Sequence, residues 1–224
     1  MNLHYQEKKE EVLNYSDSVF YKVFKRGFDI LFSLTVLVLI SPIVLTIGLL
    51  VKLEDRGPVI FKQERAGKYG RPFKIYKFRS MKVMEKTDEN KRNPYTWKNR
   101  VPDDFVFKTT EGFNPNVTKI GRFIRRYSLD ELPQFLNVLK GEMSIVGPRP
   151  EIIEIASCYD KYQSQRLLVK PGITGWAQVN GRSDMNHGKK IKLDLEYVKK
   201  RNFFFDIKII LKTVWQAVFG KGAI

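Results

Sequence analysis

The densest group of side chains able to do chemistry is Ser128-Leu129-Asp130-Glu131-Leu132-Pro133-Gln134, two adjacent carboxylates preceded by Arg122, Arg125 and Arg126. Two readings of it stand side by side. As structure, Ser128 with Glu131 three residues on is a capping-box pattern, although Pro133 then falls deep enough in the helix for its missing N–H to matter. With Asp130 as N-cap instead, Pro133 falls in the first turn, where proline is tolerated. As chemistry, Asp130 and Glu131 at a positive helix end beside arginines should titrate below the usual carboxylate range. An ionised pair of this kind suits Mg²⁺, which takes one or two carboxylates and completes its shell with water and phosphate oxygens.

Other segments supply cations. In Gly147-Pro148-Arg149-Pro150 two prolines restrict φ on either side of Arg149, whose planar guanidinium matches a phosphate bidentately; a plain surface turn is the bland alternative. Lys77 and Arg79 end an expected strand and either reach into a shared cleft or stay solvated. Residues 171–182 (PGITGWAQVNGR) combine glycines with Trp176, Gln178, Asn180 and Arg182, a mixture that suits a nucleotide and equally a twisted hairpin. No Walker loop, no GxGxxG after a strand and no GxSxG elbow occurs. One cysteine, Cys158, and two histidines, His4 and His187, make a zinc site or His-based phosphatase untenable and exclude an intrachain disulfide.

The elements that must position these groups read as follows. Val59 to Phe61 is a strand, Gly67 to Pro72 a turn, and Phe73 to Phe78 a second strand with Phe73, Ile75 and Lys77 on one face. Val117 to Tyr127 reads as a basic helix and Leu132 to Leu139 as another, stopped by Gly141. Met143 to Val146 is a strand, Glu151 to Val169 a helix, residues 173–182 short strand and loop, and Lys190 to Arg201 a helix. A last helix, Ile207 to Phe219, carries Ile207, Ile210, Leu211, Val214, Trp215 and Val218 on one stripe, facing either a core or a membrane interface. Residues 1–20 form a polar extension and 82–116 a charged loop.

Between Ile30 and Val51 lie 22 residues without a charge, enough for a membrane segment and too late in the chain for a cleaved signal. Ser41-Pro42 interrupts it. Pro42 offers no N–H to the carbonyl of Val38, so the helix should bend there, and the Ser41 hydroxyl is the nearest replacement donor. Lys22, Lys25 and Arg26 precede the segment, and Lys52, Arg56, Lys62, Arg65 and Lys68 follow it. With both flanks basic, a segment that enters and leaves by one leaflet avoids translocating either, whereas a kinked span must translocate one. The 224 residues carry 40 Lys and Arg against 24 Asp and Glu, a net charge of +16, and call for an anionic partner: nucleic acid, lipid headgroups or a phosphorylated substrate.

Taken together, KRGFDI (25–30), Ser41-Pro42, GPVIFKQERAG (57–67), FKIYKFRSM (73–81), SLDELPQFLNVLKGEMSIVGPRPE (128–151) and KPGITGWAQVNGR (170–182) closely resemble the bacterial sugar transferases. The matching stretches run in order over most of residues 22–220. The resemblance implies a monotopic α+β membrane protein on the cytoplasmic face of the cytoplasmic membrane. Residues 1–20 would be an extension, 21–56 a re-entrant helix-break-helix turning at Ser41-Pro42, and 57–224 a mixed α/β catalytic domain with amphipathic interfacial helices. It implies transfer of a hexose-1-phosphate from a UDP-sugar to undecaprenyl phosphate, releasing UMP, with Mg²⁺ as cofactor, membrane lipids as surroundings and no nucleic acid partner; homo-oligomerisation stays open. Asp130 would be the nucleophile, Glu131 a metal ligand or positioner beside it, Lys77 a further catalytic group, and Arg126, Arg149 and Arg182 basic site residues. Arg79, Gln178 and Asn180 are expected to complete the substrate site. The competing reading, a basic non-enzymatic membrane adaptor, accounts for the charge but not for Asp-Glu beside the Gly-Pro-Arg-Pro loop.

Overall fold

A computed structural model describes residues 18–82, 95–106, 115–181 and 185–219. Arg182, most of the expected N-terminal extension and much of the 82–116 loop lie outside the described residues. The described chain is mixed α/β, with helices around two small sheets.

Helix α1 runs Val19–Leu39, its first turn capped by the Ser18 side chain, which accepts from the Tyr21 N–H at 3.2 Å. Helix α2 runs Ser41–Asp55 after a break at Ile40, and the two are bent by 64°. The cause is the expected one: the Ser41 hydroxyl donates to the Val38 carbonyl at 2.8 Å, where Pro42 cannot. Among the described residues no single helix is long and apolar enough to cross a membrane, but the bent pair together has that length and apolarity. One side of the pair packs inward, with Ile47 and Val51 buried against Phe78 and Ile124. The other exposes Leu31, Leu34, Val38, Leu39, Leu45 and Leu49.

Three neighbouring polar residues of α1 fasten it to the body. Lys25 pairs with Asp206 at 2.6 Å. Arg26 donates to the carbonyls of Val138 and Leu139 at 2.6 and 2.7 Å, satisfying acceptors that a helix end leaves open. Buried Asp29 accepts from the Ser144 hydroxyl at 3.0 Å and the Ile145 N–H at 2.9 Å. The segment expected at 21–56 is thus tied into the hydrogen-bond network of the rest of the described chain.

Strands β1 (Ile60–Ala66) and β2 (Pro72–Phe78) form an antiparallel hairpin, and β4 (Glu151–Ile152) pairs with the other edge of β1, giving the order β2-β1-β4. The first strand is longer than the sequence suggested, because Lys62, Gln63, Glu64 and Arg65 pair throughout with β2. Helices α3 (Lys119–Arg126) and α4 (Gln134–Lys140) follow; α4 ends at Gly141, whose φ of 82° is the left-handed conformation glycine adopts freely. Strand β3 (Ser144–Val146) runs parallel to β5 (Gly172–Thr174). Their pairing depends on close backbone approach, since a Cβ at Gly147 would fall on the Lys170 carbonyl and the Gly172 nitrogen. The core beneath joins Phe73, Ile75, Val138, Met143, Tyr197 and Ile209.

Two expectations need correction. Glu151 to Val169 is not one helix: it opens with β4, continues as the single turn α5 (Ile153–Ala156), and closes with a 3₁₀ segment over Gln163–Leu168. Long-range ion pairs of Glu151 with Lys190 and of Arg166 with Asp194 override its helical pattern. Residues 173–182 likewise include the short helix α6 (Trp176–Asn180). Helices α7 (His187–Lys200) and α8 (Phe203–Phe219) complete the described residues. On α8 the core side is Asp206 and Ile209, so Leu211, Val214 and Trp215 of the expected stripe point outward.

Candidate active site

The alternation of β2 buries Phe73 and Ile75 and brings Lys77, on the same face, to the carboxylate pair. That pair sits in a single 3₁₀ turn, Leu129–Glu131, entered through Ser128 in the left-handed region (φ 53°). Neither capping arrangement expected from the sequence forms. Ser128 makes no side-chain cap, Asp130 lies inside the turn, and Pro133 itself occupies the N-cap of α4, where its missing N–H costs nothing.

Glu131 is clamped. Its Oε1 accepts from Lys77 Nζ and from Arg149 Nη2, both at 2.7 Å, and its Oε2 accepts from Arg149 Nη1 at 3.4 Å. Burial opposes ionisation of Glu131, but the charges of Arg149 and Lys77, and the hydrogen bonds from both, outweigh it and hold the carboxyl well below the usual range. Asp130 is different. It is 9% exposed, and no side chain or backbone N–H among the described residues hydrogen-bonds its carboxylate. Burial raises its pKa; the nearby charges of Lys77, Arg125 and Arg149 pull down, and that of Glu131 adds to the rise. The expectation that both carboxyls titrate low is therefore right for Glu131 and reversed for Asp130. The two adjacent acids have opposite environments: one is neutralised by cations, and the other keeps free oxygens in a cationic surround.

Of the remaining expected residues among those described, Arg149 joins the pair and four, Arg79, Gln178, Asn180 and Arg126, do not. The strand ends at Phe78, so Arg79 leaves the alternation and turns to the C-terminal end of α2, where it pairs with Asp55 and fills the space beside Gly57. Gln178 donates to the Ile173 carbonyl at 3.1 Å, and Asn180 bonds the Trp176 carbonyl at 2.7 Å and Lys212 at 3.2 Å. Both tie α6 to its neighbours. Arg126 lies over the Tyr127 ring, 5.9 Å from its centroid, whereas its neighbour Arg125, held by the Ser80 hydroxyl at 2.9 Å, is the one of the two whose charge acts on Asp130. The helical phase could have indicated this: with Gly121 and Ile124 buried, residue 125 lies nearer the inward face than 126. Arg65, read from the sequence only as basic charge flanking the apolar segment, donates from Nη1 to the Pro150 carbonyl at 3.4 Å.

Among the described residues no three acidic, His or Cys side chains gather to cage a metal. The donor set at the site is Asp130, with unengaged oxygens, next to Glu131, whose oxygens are taken. Such a set fits an ion that keeps most of its waters and shares phosphate oxygens, as Mg²⁺ does, and does not fit an all-protein cage.

The chain's residues 20–220 match the family model described as bacterial sugar transferase. It is 45% identical over 210 residues to the UDP-glucose:undecaprenyl-phosphate glucose-1-phosphate transferase of Escherichia coli, covering 90% of this chain and 42% of that protein. It is 42% identical over 200 residues to the uncharacterized sugar transferase EpsL of Bacillus subtilis, covering 89% and 90%. With the undecaprenyl-phosphate galactose phosphotransferase of Salmonella typhimurium it shares 40% over 201 residues, covering 89% and 41%. The chain thus spans about two-fifths of some relatives and nearly all of others. A match this long, carrying the clamped acidic pair inside it, means that the chain belongs to the bacterial sugar transferase family.

Proposed function

We propose that this chain transfers a hexose-1-phosphate from a UDP-sugar to undecaprenyl phosphate, releasing UMP, through a phosphorylated Asp130. The observation that carries the reading is the contrast within the pair: Asp130 is buried with free oxygens, while Glu131 beside it is bound by Lys77 and Arg149. In the first step an Asp130 oxygen attacks the phosphorus that bears the sugar. The diphosphate bond breaks, and UMP leaves with its electron pair. In the second step an oxygen of the lipid phosphate attacks the same phosphorus, which regenerates the Asp130 carboxylate and makes a new diphosphate. One diphosphate bond is exchanged for another, and the acyl phosphate preserves the transfer potential between the two steps.

Phosphoryl transfer depends mainly on positioning and on neutralising charge. Lys77 and Arg149, held on Glu131, present two cations beside Asp130, and Arg125 adds a third. The low exposure of Asp130 limits access of water, which would otherwise hydrolyse the acyl phosphate. Mg²⁺ would be held by Asp130 with Glu131 adjacent, and would supply charge neutralisation on the phosphate oxygens. Relatives are named for glucose, galactose and N-acetylgalactosamine transfer, so the donor here is a UDP-hexose or UDP-N-acetylhexosamine. The outward leucines of α1 and α2, and Leu211, Val214 and Trp215 of α8, would enter one leaflet of the cytoplasmic membrane, with the bend at Ser41-Pro42 at the bottom. In that arrangement the acidic pair would lie where a membrane-bound phosphate and a soluble nucleotide can meet.

The test is a UDP-sugar labelled in its β-phosphate, supplied with Mg²⁺ and no lipid. Label should appear on the protein with release of UMP and be chased by undecaprenyl phosphate. Full turnover by Asp130→Asn would refute the assignment.

A further inference from the structure

The most completely buried cation in the described chain is Arg166, whose side chain is 1% exposed. It lies in the 3₁₀ segment before β5 and makes no hydrogen bond or ion pair with Asp130 or Glu131. Its donors are fully used. Nε and Nη2 both reach Asp194 Oδ2, at 2.8 and 2.7 Å. Nη1 donates to the Tyr159 hydroxyl at 2.9 Å and lies 3.5 Å from Glu151 Oε2. Nη2 also donates to the backbone carbonyl of Arg149 at 2.9 Å. Lys190 closes the group by pairing with Glu151 at 2.6 Å.

A buried arginine and a part-buried lysine set against two buried carboxylates are an expensive way to stabilise a fold, because well-packed apolar side chains of similar volume often do as well. What such a network supplies is one geometry. Here the geometry ends on the Gly-Pro-Arg-Pro loop. The Pro148 carbonyl accepts from the Gly172 N–H at 2.9 Å, that of Arg149 from Arg166, and that of Pro150 from Arg65 at 3.4 Å. With the prolines restricting φ and each of these carbonyls engaged, the loop backbone has little freedom, and the Arg149 side chain leaves it half-exposed and in two-point contact with Glu131.

We propose that Arg166, oriented by Asp194, is a positioning residue: by holding the Arg149 carbonyl it aims the Arg149 guanidinium at Glu131 and at the transferring phosphate. The kinetic part of this inference rests on the proposed transferase reaction.

The experiment is a double-mutant cycle on the full chain in detergent or nanodiscs, combining Arg166→Lys with Arg149→Ala. Lysine keeps the charge for Asp194 but cannot serve Asp194, Tyr159 and the Arg149 carbonyl together. A misplacement of about 1 Å far from the chemistry can cost on the order of 100-fold. R166K should therefore lower kcat/KM by roughly 10- to 100-fold in the wild-type background and less than about 2-fold in the R149A background, with the same Tm change in both. An equal loss in both backgrounds would overturn the positioning role. Should R166K not fold, Tyr159→Phe removes one anchor of Nη1 and is expected to show the same dependence on Arg149 at smaller size. A second readout needs no turnover: the Arg149 ¹⁵Nη–¹H signals, from the groups that contact Glu131, should be resolved in the wild type and broadened in R166K or Y159F. An unchanged signal overturns the proposal whether or not the chain turns over UDP-sugars, and failure of the transferase reading alone shows as lack of UMP release with the Arg149 signal still dependent on residue 166.

Discussion

Glu131→Gln tests the division of labour within the acidic pair. Glutamine keeps the shape of Glu131 but carries no charge and has one acceptor oxygen instead of two. Three contacts are at stake, from Lys77 at 2.7 Å and from Arg149 at 2.7 and 3.4 Å. Lys77 and Glu131 are each less than one-fifth exposed, so their charge-assisted bond is worth about 1.5–3 kcal/mol. The Arg149 side chain is about half exposed, and screening reduces its share to roughly 1 kcal/mol or less. Glutamine retains part of one bond, which leaves a net loss of about 1–2 kcal/mol and a fall in Tm of roughly 2–8 °C for a chain of this length. The kinetic cost should be far larger. Lys77 and Arg149 lose the anchor that aims both, and removal of one preorganised charge contact to a transition state costs about 10²–10³ in kcat. UMP release with saturating UDP-sugar and undecaprenyl phosphate, alongside Tm by differential scanning fluorimetry, gives both numbers. Because Glu131 is held ionised well below its ordinary range, its contribution to stability is complete above the unfolded pKa of about 4.3, and the Tm difference should be constant from pH 5.5 to 8. It should shrink only as pH falls towards the folded value. A variant with the expected Tm loss and unchanged kcat would make Glu131 an anchor of the fold and nothing more.

Further outcomes follow from the same geometry. Asp130→Asn should abolish turnover yet leave the fold at least as stable. Since burial raises the Asp130 pKa, the wild type is penalised where the acid must ionise, so the Asn variant's Tm advantage should grow with pH above about 4 and vanish in more acidic buffer. The acid limb of wild-type kcat/KM should lie above the ordinary aspartate value for the same reason; a limb at or below it would contradict the environment described. Pro42→Ala with Ser41→Ala restores a continuous ladder at the bend and should straighten it, read as one flank of residues 30–51 becoming labelled from the far side of vesicles by an impermeant thiol reagent after cysteine introduction; unchanged single-sided labelling would assign the bend to tertiary contacts of α2 instead. Gly147→Ala places a methyl on the Lys170 carbonyl and the Gly172 nitrogen and should cost about 1–3 kcal/mol of stability, seen in chemical denaturation; a neutral result would mean that β3 and β5 can separate without penalty.

The parts of this molecule governed by near neighbours in the chain were legible from the sequence. The Ser41 hydroxyl finds the Val38 carbonyl three residues back, and the alternation of Phe73, Ile75 and Lys77 puts two side chains in the core and one at the acidic pair. Gly141 ends α4 where it was expected to. What escaped depends on partners far away. Arg79 continues the alternation on paper, but the strand stops one residue earlier and Asp55, 24 residues distant, takes its guanidinium. Glu151 to Val169 carries a helical pattern, yet its polar residues answer to Lys190 and Asp194 on α7. The opposite titration of Asp130 and Glu131 could not be read from adjacency, since it arises from which of the two meets Lys77 and Arg149.

The attachment of α1 has a consequence for how this chain tolerates insertions. Arg26, Asp29 and Ser33 share one stripe of the helix, the last two buried, so the shaft is keyed to its socket. One extra residue between Arg26 and Ser33 would turn everything beyond it by about 100°, swinging the leucines of the outer limb out of their plane and carrying Ile47 and Val51 away from Phe78. Seven extra residues would return the face to within about 20°. Those residues would also lengthen the limb by about 10 Å and move Ile47 and Val51 off Phe78, so both the facing and the length of this limb are set by its packing.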